Sequence, residues 1–214
     1  AFQAALNSRI YVDKTGLIAC MNNILDSTDA YICNSRPRRF GKSYAANMLA
    51  AYYSKGASSE EMFSKLDIGK TPDFKRHLNK YDVIHIDIQW FLTNCDDKDK
   101  VVGYITKIVL DELKDVYPDI LPSEVLSLPD ALSRVRNKTG QKFVIIIDEW
   151  DVLIRDEAAN KKVQDDYIRF LRSMFKGIEP TKYIQLAYLT GILPIKKERT
   201  QSALNNFREY SMLN

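Results

Sequence analysis

Two groups of residues in this 214-residue chain are suited to phosphate chemistry. The first is Arg36-Pro37-Arg38-Arg39-Phe40-Gly41-Lys42-Ser43, which ends in Gly-Lys-Ser. Backbone N–H groups of such a loop, together with a lysine ammonium, attract the β and γ phosphates of a nucleoside triphosphate. The hydroxyl that follows can ligate Mg²⁺. The second group is Asp148-Glu149, which ends the apolar run Phe143-Val144-Ile145-Ile146-Ile147. Asp148 is suited to the magnesium shell, directly or through water, and Glu149 to general-base work on an attacking water. Gly-Lys-Ser alone also occurs in solvated basic turns, and two acids can simply end a strand. Together the two segments make a nucleotide site the best reading. One departure stands out: Arg36 occupies the first-glycine position of G-x-x-x-x-G-K-[ST]. Arginine takes a positive φ only at a cost, so the loop is expected to open along a different backbone path, stiffened by Pro37.

These residues need a scaffold, and the surrounding pattern describes one. Ala30-Tyr31-Ile32-Cys33 reads as the strand before the loop, and Ala45, Met48, Leu49, Tyr52 and Tyr53 mark one face of the helix behind it. The run from Phe143 lacks alternation, as expected of a strand buried on both faces of a parallel sheet. Its C-terminal end is where open α/β sheets bind ligands. Val83-Ile84-His85-Ile86-Asp87-Ile88 and Ile184-Gln185-Leu186-Ala187-Tyr188-Leu189-Thr190-Gly191 read as two further strands. Helices are expected over residues 15–25 and 101–116, after Ser127-Leu128-Pro129-Asp130, and around Tyr167, Phe170, Leu171, Met174 and Phe175. Alternating strands and helices predict an α/β, doubly wound, mostly parallel sheet. Residues 55–60, 93–100 and 156–162 are the expected flexible stretches.

Composition fits an ordinary globular domain, with 45% apolar and 28% charged residues. The net charge of +3 is too small to indicate nucleic-acid binding by itself. Cys20, Cys33 and Cys95 are odd in number and widely spaced, and the histidines are two, His77 and His85. Neither a disulfide framework nor a zinc site is supported, and free thiols fit a reducing cytoplasm. No apolar run approaches the ~20 residues that span a bilayer. The chain starts and stops without evident punctuation, so a piece of a longer protein is expected.

Tyr11-Val12-Asp13-Lys14-Thr15, the 36–43 loop, Ile147-Asp148-Glu149-Trp150-Asp151, Leu189-Thr190-Gly191 and Leu204-Asn205-Asn206 closely resemble, in this order, the bacterial AAA-ATPase-like family. The resemblance covers essentially the whole chain, and that family shares the missing first glycine. It implies an additional-strand P-loop NTPase fold, AAA-like, over residues 1–214, the lead-in of about the first 28 residues included. The strand ending at Thr190 is then expected between the P-loop strand and the strand carrying Asp148. The resemblance also implies ATP and Mg²⁺ as cofactors, with a nuclease-like domain of the PD-(D/E)XK type often following the ATPase. No such constellation stands in this chain: Pro72-Asp73 and Pro118-Asp119 lack the strand and the acid–lysine pair.

The expected ligands of the nucleotide are Arg38, Arg39, Phe40, Gly41, Lys42, Ser43 and Tyr44, with Tyr11, Asp13 and Lys14 where related ATPases line the adenine pocket. Ser43 and Asp148 are the expected metal ligands, and Glu149, Lys42 and Thr190 the catalytic set. Thr190 suits a γ-phosphate or water sensor, or a threonine that merely ends a strand. Arg38 and Arg39 suit phosphate or a salt bridge to Asp148 or Asp151. Arg199 is a sensor arginine or part of a solvated basic segment with Lys196 and Lys197. Thr15 is a candidate helix cap, Asp87 an outer neighbour of the site, and Trp150 a packing residue rather than a base-stacking one. Asn205 and Asn206 have no assigned chemistry. The function implied is Mg²⁺-dependent ATP binding with hydrolysis, coupled to a C-terminal effector. A nucleotide-responsive switch with little turnover is the alternative. A homo-oligomer is open, nucleic-acid binding has only the loop arginines and Lys196-Lys197 behind it, and no membrane segment is expected.

Overall fold

The computed structural model describes residues 1–156, 159–195 and 204–211. Five strands form one all-parallel sheet: β1 (Tyr31–Ser35), β2 (Asp82–Asp87), β3 (Phe143–Asp148), β4 (Ile184–Gly191) and β5 (Arg208–Tyr210), in the order β2-β3-β4-β1-β5. The expected placement of β4 between the loop strand and the acid-bearing strand therefore holds. This is an α/β architecture with the topology of a P-loop NTPase. The helices are α1 (Phe2–Leu6), α2 (Gly16–Asn22), α3 (Lys42–Tyr53), α4 (Glu60–Ser64), α5 (Phe74–His77) and α6 (Ile88–Asn94). They continue with α7 (Val101–Val116), α8 (Leu128–Thr139), α9 (Val152–Arg155), α10 (Lys161–Phe175) and α11 (Glu179–Tyr183).

The continuous apolar run of β3 is explained by its position. Every residue of the strand is buried, and successive side chains enter opposite layers. Phe143, Ile145 and Ile147 join the core made with α7, α8 and α10, while Val144 and Ile146 join the core of α1, α2 and α3. β4 follows suit after a bulge: Phe143 pairs with Ile184 and Val144 with Leu186, so Gln185 is the extra residue. It brings Leu186 and Tyr188 to the α3 layer and Ala187 and Leu189 to the α7 layer.

Local signals set several boundaries. The Ser127 hydroxyl accepts from Asp130 N at 3.3 Å to cap α8, which stops at Gly140 in the left-handed conformation (φ 75°). α7 spans the residues expected from its apolar spacing, with Val101, Ile105, Val109 and Leu113 buried. Other expectations need correction. Ile88 starts α6 instead of ending β2, because the Asp87 carboxylate caps that helix by accepting from Trp90 N at 3.0 Å. The helix expected over 15–25 is shorter, and the Thr15 side chain does not cap it. Instead Thr15 Oγ1 donates to Asp13 Oδ1 (2.7 Å) and accepts from Ile68 N (3.1 Å). Residues 55–60, expected to be flexible, border a clamp: the two N–H groups of Asn79 Nδ2 lie within hydrogen-bond distance of the carbonyls of Ala51, Tyr52 and Ser54 and of Ser59 Oγ, and are shared among them. The strand β5 was not expected at all. Arg199, Lys196 and Lys197 lie outside the described residues, as does part of 156–162.

Candidate functional site

The loop and the two acids meet at the C-terminal edge of the sheet, because β1 and β3 flank β4 and all three run the same way. Arg36 N donates to Gly191 O at 3.0 Å, so the arginine extends the β1–β4 pairing by one residue. Arg36 does not adopt a positive φ. The left-handed turns come later, at Arg39 (φ 68°) and Gly41 (φ 75°), immediately before α3 begins at Lys42. That is the different backbone path which a loop without its first glycine requires. Its cost falls on Arg39, where a non-glycine residue in this region is uncommon. Pro37 contributes its carbonyl, which accepts from Lys42 Nζ at 3.1 Å.

Lys42 is buried with its ammonium 3.8 Å from Glu149 Oε1. The other oxygen, Oε2, accepts from Arg155 Nη2 at 2.8 Å. Arg155 in turn donates through Nε to Asp151 Oδ2 at 2.8 Å. Asp151 is fully buried, and its Oδ2 also accepts from Ile192 N (3.0 Å) and Leu193 N (2.7 Å). A chain of alternating charges thus runs Lys42, Glu149, Arg155, Asp151. Burial pushes the Glu149 carboxyl above its ordinary range; Lys42 and Arg155 pull it back, and Asp151 and Asp148 add to the rise. Glu149 itself is held at φ 53°, a strained turn that lets the chain leave β3 sharply.

Asp148 is buried at the end of β3. Its Oδ1 accepts from Glu149 N at 3.0 Å and from the hydroxyl of Thr190 on the neighbouring strand. Both bonds fall on one oxygen, and no described residue donates to Oδ2. Thr190 is therefore engaged with Asp148 here, not with the space in front of the loop. Gly191 follows, and a side chain there is impossible without movement: a Cβ would lie 2.6 Å from Trp150 ring atoms and 2.7 Å from Asp151 Oδ1. Trp150 is fully buried, and its carbonyl accepts from Tyr167 Oη at 2.7 Å, the packing role expected of it.

On the other side of the loop lies a mostly apolar cavity of about 260 Å³, lined by Phe2, Tyr11, Lys14, Gly41, Tyr44 and Met48 among others. Tyr11 and Tyr44 are thereby brought beside the loop, and Lys14 Nζ stands 3.4 Å from where a Gly41 Cβ would be. Asp13 does not face this cavity as a ligand would. Its carboxylate ties residues 13–15 to Asp67 N at 2.7 Å. Ser43 is exposed at the start of α3, and Phe40 and Tyr44 are also exposed. Arg36, Arg38 and Arg39 form no ion pair with any described residue, and Arg38 and Arg39 are exposed, so the salt bridges to Asp148 or Asp151 are absent among the described residues. Arg38 instead borders a second cavity of about 580 Å³ that also touches Gln89, Thr93, Lys98 and Arg155. Asp87 is spent on its helix cap, and Asn206 Nδ2 donates to Phe175 O at 3.0 Å, a structural bond away from the loop.

Arg155 is the residue that sequence reasoning missed. Its spacing of four from Asp151 was a signal for a helical ion pair, but not for the bridge to Glu149, which depends on the left-handed turn between them.

A sheet of this order, with a Gly-Lys-Ser loop leading into α3 and an Asp-Glu pair two strands away, defines a P-loop protein of the AAA kind. The chain belongs to the family of predicted AAA-ATPases, which it matches over residues 3–200. It is also similar to a curated protein described as "Uncharacterized protein in vnfD 5'region" from Azotobacter chroococcum mcd 1. The two are 24% identical over 204 residues, covering 94% of this chain and 37% of that protein. The chain thus spans little more than a third of that relative's length. Among the described residues no helix is long and apolar enough to cross a membrane.

Proposed function

We propose that this chain binds ATP with Mg²⁺ at the junction of the 36–43 loop and the end of β3, and hydrolyses it. The observation that carries the reading is the approach of Lys42 Nζ to Glu149 Oε1, 3.8 Å apart, from segments far separated in sequence. In the proposed reaction the N–H groups of residues 41–43 and the Lys42 ammonium hold the β and γ phosphates. The cavity beside Tyr11 and Tyr44 takes the base, its apolar lining suiting a flat heteroaromatic ring.

The residues present fit a magnesium ion. The Ser43 hydroxyl and the free Oδ2 of Asp148 are hard oxygen donors, and magnesium characteristically uses few protein ligands, filling its shell with phosphate oxygens and water. When bound, the ion neutralises charge on the phosphate oxygens. Thr190 fixes the Asp148 carboxylate by its hydroxyl bond. Glu149 accepts a proton from the attacking water as the water oxygen bonds to the γ phosphorus; the bond to the β–γ bridging oxygen breaks, and ADP leaves with that electron pair. Fixed charges and dipoles in place before reaction supply much of the barrier reduction. Coupling of this cycle to a further part of a longer chain belongs to the same proposal, and the relative described above is longer than this chain, which covers 37% of it.

The test compares phosphate release and nucleotide binding in wild type, Glu149→Gln and Lys42→Ala. Glu149→Gln should bind ATP and release little phosphate, and Lys42→Ala should bind ATP markedly more weakly than either of the other two. Turnover that survives Glu149→Gln would remove Glu149 as the base. Binding without turnover in the wild type would favour a nucleotide-responsive switch.

A further inference from the structure

The two oxygens of Glu149 are held unequally. Oε2 is in direct contact with Arg155 at 2.8 Å, whereas Oε1 stands 3.8 Å from Lys42. Arg155 is itself fixed from behind, since its Nε donates to Asp151, a fully buried carboxylate that also holds the backbone of Ile192 and Leu193. A guanidinium can serve two carboxylates at once through different nitrogens, which an ammonium on a flexible stem does poorly. Lys42, in contrast, has among the described residues only the Pro37 carbonyl as its close partner, at 3.1 Å. A carboxylate whose side chain is only 24% exposed needs a cation close by, and here two compete for it.

We infer that Arg155 is a positioning residue that keeps Glu149 off the P-loop lysine, leaving Lys42 free to meet phosphate. The inference rests on the ATP-site reading above and adds the residue that keeps that site open. Without Arg155, the sole remaining cation within reach of Glu149 among the described residues is Lys42. The carboxylate then closes on the ammonium, and phosphate must break that pair to bind. Arriving phosphate in the wild type, however, draws Lys42 away from Oε1 and leaves the bond at Oε2 intact. Glu149 is thereby held at the site with one oxygen vacated on the side facing the loop. Asp151 acts at one remove, through Arg155.

The test measures affinity for the β,γ-imido analogue of ATP with Mg²⁺, so that hydrolysis does not enter. Arg155→Ala should bind it about tenfold more weakly than wild type, the size expected when two contacting charged groups are uncoupled. Adding Glu149→Gln to Arg155→Ala should restore affinity to that of Glu149→Gln alone, because the competitor for Lys42 has lost its charge. Arg155→Lys should fall between wild type and Arg155→Ala. The restoration separates positioning from general damage to the fold, which a second substitution would not repair. Unchanged affinity in Arg155→Ala overturns the inference alone, as does a double variant as weak as Arg155→Ala. No binding by the wild type overturns the ATP-site reading and this inference with it.

Discussion

The loop 36–43 and the turn after β3 face each other across Lys42 and Glu149, and they are held in opposite ways. The turn is fixed from inside. Asp148 is tied to Thr190, Asp151 to three donors, and Gly191 sits so close to Trp150 and Asp151 that only hydrogen fits. The loop is held at its ends, by the strand bond of Arg36 and the start of α3, and between them Arg38, Arg39 and Phe40 are exposed. Burial makes the acidic half costly to disturb, while in the basic half only Lys42 is buried and Arg38 and Arg39 are exposed without an ion pair to any described residue. Disturbing the acidic half should therefore register first in the stability of the fold, and disturbing the basic half first in ligand affinity.

This contrast should appear in mutants. The largest effect is expected from Asp151→Ala, which removes one of the two carboxylates holding Arg155 and strands two backbone N–H groups; chemical denaturation should register a loss of about 3 kcal/mol. Gly191→Ala should cost about 2 kcal/mol by the same measurement, through the clash with Trp150. Thr190→Val removes one hydroxyl bond to a buried carboxylate and should cost about 1 kcal/mol. Its turnover should fall further than its ATP affinity, since Asp148 loses its orientation. On the basic half, Lys42→Ala should weaken ATP binding by about 2 kcal/mol and leave ligand-free stability nearly unchanged. Smallest of all, Arg39→Gly should shift stability by no more than about 0.5 kcal/mol, because glycine takes a φ of 68° without strain. A large loss of stability in Lys42→Ala, or a negligible one in Asp151→Ala, would break the comparison.

Much of this arrangement was legible in the sequence where burial or capping leaves a local mark. The uninterrupted Phe143–Asp148 strand, the start of α8 at the proline after Ser127 and the spacing of α7 all record their environment in neighbouring residues. β5 leaves no such mark: it is three residues long, lies at the sheet edge and alternates between exposed and half-buried positions. The loop's place between a strand and a helix was also legible, since Gly-Lys-Ser is contiguous and apolar segments flank it. What could not be read locally were the cross-strand relations. The Thr190 hydroxyl meets Asp148 only because β4 lies beside β3, and Arg155 reaches Glu149 only because Glu149 turns left-handed. Similarly, Asn79 clamps residues 51–59 across a fold-back that neither segment announces.

The most direct test of the central claim is to incubate wild type and Glu149→Gln with ATP and Mg²⁺, remove free nucleotide, and identify what stays bound. The account predicts ADP on the wild type, or a mixture rich in it, and intact ATP on Glu149→Gln. Intact ATP on both proteins would contradict hydrolysis at this site, and ADP on both would contradict the role given to Glu149.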